Sequence, residues 1–502
     1  MAKKDNRIKY NLLSGVVYQV VLIVLSFLLP RLYLENFGSE VNGVLSTIKQ
    51  IFVYMFLLES GVGLATTQAL YKPVAEKNYG KVSSIISATH SYYCKIGYLY
   101  AAIVLLIAIV YAFIVPTSIE PAVIFGIVVL TALPALFSYF VQAKYRILLE
   151  VDGRKYVITN SETVLQLLSN IGKILVLVLS NSLILIQLVY CILYLLQLAY
   201  VFIQAKRRYK WLDLKAKPDY EAVSQRKSVL VHQVSSMVFN NTDVLLLSFL
   251  TDFKVVSVYT IYNIFFSQVQ TFITSIISGF SFALGQMFHT DREKFLKVYN
   301  VYETFYIMAT FIIYTLMAVF LLPLIQIYTG GIDDANYTNV YLVILFVIMN
   351  LLANGKLPSN HVLEFSGKFE ETRSHAIWEM VINIVVSVVA ILKWGICGAI
   401  IGTIVALLYR GAMMIYYSNK KVLNRSVFNT YKLWIVNGAV FAVIMLIFFV
   451  DSFCGLSFLA LLLKGITHTL WIVPLYVAVN FIFFRTSFKN LIALRRNRNE
   501  HS

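Results

Sequence analysis

The chain has 502 residues, of which 59% are hydrophobic, 15% aromatic and only 13% charged, with a net charge of +17. A soluble globular chain carries about 25% charged residues, so this composition and the mean hydropathy of +0.75 exclude an ordinary water-soluble domain. Apolar stretches about as long as a bilayer is thick recur from end to end, which indicates a polytopic membrane protein.

The N-terminus, MAKKDNRIKY, leads into an apolar run from Leu12 to Leu34. That run is longer than a signal-peptide core and has no small-residue cleavage site, so it reads as a permanent first span. Hydropathy places fourteen helices in order. The first six lie near 11–33, 42–69, 88–115, 121–143, 158–180 and 183–204. Six more lie near 229–250, 255–288, 300–328, 338–355, 376–393 and 395–417, and two near 433–450 and 456–484.

The longest hydrophilic connection, AKRRYKWLDLKAKPDYEAVSQRK at 205–227, separates two sets of six. The expected organisation is an N-lobe at 1–204, a cytoplasmic linker at 205–227 and a C-lobe at 228–418. Two further helices lie within 419–484, and a basic tail covers 485–502. A weak echo between FGSEVNGVLSTIKQ at 37–50 and DFKVVSVYTIYNIF at 252–265 suggests parallel repeats about an axis along the membrane normal.

Most of the 42 basic residues fall in alternate loops and at both ends, whereas the intervening loops carry Glu35, Glu40, Glu120, Asp252, Asp333, Asp334 and Asp451. By the positive-inside bias both termini are cytoplasmic. The basic excess then faces anionic membrane lipids rather than nucleic acid. No outer loop exceeds about ten residues, which leaves no soluble platform for a polymerase or ligase, so a non-enzyme is expected. Cys94, Cys191, Cys397 and Cys454 have no CxxC or metal spacing and read as small packing residues; no metal site is expected from them.

Several stretches resemble a known family. The opening NLLSGVVYQVVLIVLSFLLPRLYLENFGSEVNGVLSTIKQIFVYMFLLESGVGLATTQAL pairs a long first helix with a Gly-containing turn and a Gly-rich second helix end. NNTDVLLLSFLTDFKVVSVYTIYN follows at 240–263, and EMVINIVVSVVAILKWGICGAIIGTIVALLYR at 379–410 sets Asn383 before Gly395, Gly398, Gly402 and Thr403. In this order they are similar to Wzx-like polysaccharide-biosynthesis transporters of the multidrug/oligosaccharidyl-lipid/polysaccharide (MOP) exporter superfamily.

That resemblance implies an all-α MOP/MATE-like fold of about 14 transmembrane helices, two parallel six-helix lobes plus two C-terminal helices. It also implies a flippase that carries undecaprenyl-diphosphate-linked oligosaccharide across the bacterial cytoplasmic membrane by alternating access. O-antigen, capsule or exopolysaccharide synthesis would be served, with a polysaccharide polymerase and chain-length regulator as partners. No organic cofactor is implied; Na⁺ or H⁺ would be the coupling ion. The alternative within transport is a MATE-type cation-coupled multidrug antiporter.

Charges inside a membrane cost about 2.5–3.5 kcal/mol each on insertion scales and point to function. A diphosphate needs cations and donors to replace its water, which nominates Arg31, Lys49, Lys173 and Arg410 as substrate-binding cations. Snorkelling is the competing reading, strongest for Arg31 near its helix end. For the coupling cation the resemblance points to Asp243 on the seventh helix, Glu379 and Asn383 one turn apart on the eleventh, and Thr403 on the twelfth. Asn383 is expected nearer to Asp243 than Glu379 is. Tyr18, Tyr262 and Tyr302 are candidates for stacking on sugars.

Overall fold

The computed structural model describes residues 2–59, 62–114, 116–180, 182–222, 227–448, 455 and 457–499; Asp451 and Cys454 lie outside them. Among the described residues the chain is helical and no strand occurs. It divides into two compact units, Met1–Met237 and Val238–Ser502.

The first unit holds α1 (Ala2–Met55), α2 (Val62–Ala75), α3 (Tyr79–Ile114), α4 (Pro121–Phe137), α5 (Ala143–Val151), α6 (Lys155–Leu179) and α7 (Leu183–Arg208). The unit boundary falls within α8 (Lys227–Leu250). The second unit continues with α9 (Phe253–Thr290), α10 (Arg292–Tyr328), α11 (Val340–Gly355), α12 (Leu357–Phe365), α13 (Phe369–Trp394) and α14 (Ile396–Tyr416). It closes with α15 (Phe428–Phe448), α16 (Phe458–Phe483) and α17 (Arg485–Asn499).

Eleven helices among the described residues are long and apolar enough to cross a membrane, and Val234–Leu250 is a shorter apolar helix. This is an all-α, multi-pass membrane protein. The first two expected spans run as one stretch, Val21–Leu58, because α1 continues through a single aberrant residue. Gly38 sits at φ 78°, ψ −179°, a conformation that a Cβ disfavours, and this places the break inside the expected FGSEVNGV turn. Several later helices start where a short polar side chain accepts from the first-turn backbone: Ser182, Asp252, Asp291, Asn339 and Ser457. These residue types satisfy amide donors that have no helical partner.

In the first unit α1 packs on α6, α3 on α4, and α7 on both α4 and α6. The hydrophilic linker is folded against this unit. Asp213 N donates to Ser83 Oγ (3.2 Å), Ser87 Oγ to the Leu214 carbonyl (3.0 Å) and Asp219 N to the Ser84 carbonyl (3.1 Å). Lys81 pairs with Asp219 and holds its carboxyl below the usual range by hydrogen bonding. The Trp211 ring lies 4.4 Å from that of Tyr79. Partly buried loop backbone groups thus find hydrogen-bond partners on the start of α3.

In the second unit α10 contacts α11, α15, α16 and α17. Glu303, only 2% exposed, accepts from Arg425 Nη2 (2.5 Å) and Thr430 Oγ1 (2.7 Å), tying α10 to the first turn of α15 and the segment before it. Between α15 and α16, the buried amides of Asn437 and Asn480 exchange hydrogen bonds of 3.2 and 2.8 Å. Replacing Asn437 alone with Leu leaves the buried Asn480 Oδ1 without its donor, although Nδ2 keeps the Tyr476 carbonyl, and is expected to cost about 1–3 kcal/mol. Replacing both with Leu should recover most of that loss. Thermal unfolding of the two single variants and the double variant in detergent measures the cycle.

Among the described residues the most extensively packed helix pair is α13–α14, a hairpin turned at Gly395 (φ 53°). A Cβ at Gly398 would lie 2.2 Å from the Ala390 carbonyl carbon, and one at Gly402 2.1 Å from Ser387 Oγ. The two glycines, four residues apart, let the backbones touch.

Candidate functional site

Two buried polar layers share the α13–α14 hairpin. The first centres on Asp243 of α8, which is 6% exposed. Tyr259 OH of α9 donates to its Oδ2 at 2.9 Å. Thr403 Oγ1 of α14 lies 2.9 Å from Oδ2 and 3.2 Å from Oδ1. Asn383 Nδ2 of α13 donates to Thr403 Oγ1 at 2.9 Å, while its buried Oδ1 makes no hydrogen bond. Four helices therefore converge on one carboxylate, with two hydroxyls in direct contact and the Asn383 amide behind Thr403. No lysine or arginine among the described residues pairs with Asp243. A buried carboxylate without a cationic neighbour has to be neutralised by a proton or a bound cation. The oxygen donors suit a hard ion such as Na⁺.

The second layer lies one turn away along α13, at a rise of about 6 Å for four residues. Glu379 Oε1 accepts from Lys356 Nζ at 2.7 Å, and its Oε2 lies 3.4 Å from Arg410 Nε. Arg410 is 6% exposed, its Nη1 donates to the Thr372 carbonyl at 3.2 Å, and its Nε is buried without a hydrogen bond. The Lys356 ammonium also stands 5.5 Å over the Phe239 ring. Two cations thus share one carboxylate, an excess of one positive charge in an apolar setting.

Of the four residues nominated for the coupling cation, Asp243, Asn383 and Thr403 meet in the first layer. Glu379 instead meets Arg410 in the second. The i, i+4 spacing that puts Glu379 and Asn383 on one helical face also separates them by a full turn, and each contacts what is level with it.

The remaining cations lie in the first unit. Arg31 Nε pairs with Glu35 Oε1 at 2.7 Å on the same helix, both side chains partly exposed, the arrangement expected of a helix-surface ion pair. Lys49 on α1 is exposed and Lys173 on α6 half-buried. Lys173 Nζ stands 4.8 Å over the Tyr190 ring, with Lys49 near enough to repel it. Neither lysine pairs with a carboxylate among the described residues. Elsewhere in the same unit, Glu59 accepts from Tyr93 OH (2.8 Å) and Glu162 from Arg146 (2.6 Å).

Tyr262 is fully buried against Phe346 with its hydroxyl donating to the Tyr337 carbonyl (2.7 Å), which removes it as a sugar platform. Tyr302 OH faces His361 Nδ1 at 3.1 Å, and the Tyr18 side chain lies outside the described residues. Sequence reasoning missed Tyr259 and Lys356. Tyr259 carries no local signal, being one tyrosine among 33. Lys356 sits in NGKLPSN at the α11–α12 junction, where Pro358 and the surrounding polar residues read as a loop.

No family model matches the chain, and no curated protein matches its sequence. Solved structures do match. The lipid II flippase MurJ in an inward closed conformation superposes with a TM-score of 0.66 at 15% identity, covering 95% of this chain and 99% of that one. An inward-facing multidrug resistance MATE transporter of the MOP superfamily gives 0.61 at 11% identity, covering 80% and 94%. A MOP superfamily transporter from Pyrococcus furiosus, described as having a binding pocket of reverse polarity, gives 0.54 at 11% identity over 82% and 96%. This chain therefore has the fold that these structures share, over 95% of its length for MurJ and 80% for the MATE transporter.

Proposed function

We propose that the protein is a flippase for lipid-linked oligosaccharides, moving undecaprenyl-diphosphate-linked repeat units from the inner to the outer leaflet of a bacterial cytoplasmic membrane. The observation that carries this reading is the Lys49–Lys173 pair. Two like charges on the packed helices α1 and α6, without a carboxylate partner among the described residues, favour an anionic ligand. A diphosphate has that charge and the acceptor oxygens to use both ammonium groups, whereas a cationic drug would be repelled. Arg410 supplies a further buried cation in the second unit.

In this proposal residues 1–204 and 228–418 are the two transporting lobes, 205–227 a cytoplasmic linker, 419–484 two supporting helices and 485–502 a basic cytoplasmic tail. Transport is coupled to Na⁺ or H⁺ at Asp243, with Thr403 and Asn383 as the oxygen neighbours that would hold the ion. Such a carrier performs no covalent chemistry. A polysaccharide polymerase and a chain-length regulator would take up its product.

Lys173→Gln and Arg410→Gln are each expected to abolish surface polysaccharide while the protein remains in the membrane at normal abundance. Normal polysaccharide in both variants would overturn the cationic-site reading. In a deletion strain, unpolymerised single units should accumulate on the cytoplasmic side. Accumulation outside would instead identify a polymerase.

A further inference from the structure

The layer formed by Lys356, Glu379 and Arg410 is unbalanced in both charge and hydrogen bonding. Glu379 is shared between two cations, held firmly by Lys356 at 2.7 Å and loosely by Arg410 at 3.4 Å. Arg410 has five N–H donors, of which one reaches the Thr372 carbonyl, while its buried Nε makes no hydrogen bond and lies 3.4 Å from Glu379 Oε2. A guanidinium this buried normally has its donors matched by a carboxylate or phosphate in bidentate fashion. The alternative of pure structural neutralisation would place a second carboxylate here, and none pairs with Lys356 or Arg410 among the described residues. His375 is engaged by Tyr409 OH at 2.7 Å and does not supply an acceptor to Arg410.

We infer that Glu379 is a resident counter-ion occupying an anion site formed by Lys356 and Arg410, and that a diphosphate group displaces it from Arg410 as it binds. The carboxylate keeps two buried cations tolerable between cycles and competes with the incoming anion, so the site releases its cargo instead of trapping it. A flexible glutamate bound strongly on one side and weakly on the other is suited to this exchange. It can stay with Lys356 while Arg410 turns its free donors to phosphate oxygens. The choice of a diphosphate rests on the function proposed above; the exchange of anions at these three side chains does not.

The test uses full-length protein in nanodiscs and inorganic pyrophosphate as the probe, read as a ligand-dependent shift in unfolding temperature. Removing the competing carboxylate in Glu379→Gln should tighten pyrophosphate binding by about tenfold or more over wild type, the scale of one lost charge-assisted contact. Adding Arg410→Gln in the same chain should erase the gain. If Glu379→Gln does not accumulate, Glu379→Asp keeps the charge but is too short to span both cations and should show a smaller gain of the same sign.

Equal or weaker binding in the Glu379 variants, or a gain that survives loss of Arg410, would overturn the inference. A parallel arm with undecaprenyl diphosphate in the nanodisc separates a lipid headgroup from free diphosphate as the source. If the gain appears but vesicles show no flipping of lipid-linked sugar, the function proposed above fails and the exchange site stands. If flipping proceeds with no gain, the exchange site alone fails.

Discussion

Asp243→Asn is expected to lower gradient-driven transport by about two orders of magnitude while the protein keeps its normal abundance in the membrane. The side chain is nearly isosteric, so the packing of α8 against its neighbours should survive. What changes is the acceptor. In the wild type one buried carboxylate takes hydroxyl hydrogen bonds from Tyr259 and Thr403, and hydrogen bonds to a charged group contribute about 1.5–3 kcal/mol each. An amide can bind neither a coupling proton nor a cation with comparable strength, and a loss of about 3 kcal/mol already corresponds to a hundredfold.

Tyr259→Phe removes a single donor and should lose about tenfold. The measurement is uptake of labelled lipid-linked sugar in vesicles with the proton and sodium gradients imposed and collapsed separately. Full transport by Asp243→Asn on either gradient would remove this residue from coupling.

The other large effect is expected at the α13–α14 contact. Gly402→Ala should sharply reduce the amount of folded protein recovered from the membrane, and Gly398→Ala should do the same. At Gly402 the new Cβ meets Ser387 Oγ at 2.1 Å and Ser387 N at 2.6 Å; at Gly398 it meets the Ala390 carbonyl and Ile391 N at 2.2 and 2.4 Å. Backbone atoms cannot rotate away as a side chain would, so the helices must separate. Overpacking of this kind costs about 1–3 kcal/mol and more where backbone has to move.

The separation also pulls on the 2.9 Å Asn383–Thr403 hydrogen bond beside these glycines, so any surviving protein should transport poorly. Gly465→Ala, with nothing within 4 Å of the added carbon, is the matched control and should behave as wild type. Recovery by size-exclusion chromatography and unfolding temperature in detergent would show the contrast. Equal recovery of Gly402→Ala and Gly465→Ala would mean that the close approach is not needed.

The linker shows how far sequence patterns reach. Its polarity sets it apart from the apolar runs, because charged residues are costly in hydrocarbon; its first four residues continue α7. Its docking on Ser83, Ser84 and Ser87 of α3 left no such trace, since serines near a helix start have many other uses. Arg31 shows the same limit from the other side. An arginine near a span is costly and so points to substrate, yet Glu35, one turn on, pairs with it. The i, i+4 spacing of the two residues already allows that pair.

What the sequence by itself determined was the solvent, an all-helical chain and the turn at Gly38. Hydrocarbon demands internally satisfied backbone over fixed lengths, so apolar runs were sufficient for the first two, while the fourteen expected spans met eleven helices long and apolar enough to cross among the described residues. What only the tertiary structure decided was which intramembrane charges meet. Asp243, Asn383 and Thr403 come from three helices up to 160 positions apart, and their meeting depends on helix rotation and depth that no local pattern encodes. Glu379 and Asn383 share a face of one helix, yet a single turn of rise sends one to Lys356 and Arg410 and leaves the other with Thr403. A period of 3.6 residues specifies the face; depth along it is set by what the neighbouring helices present at the same level.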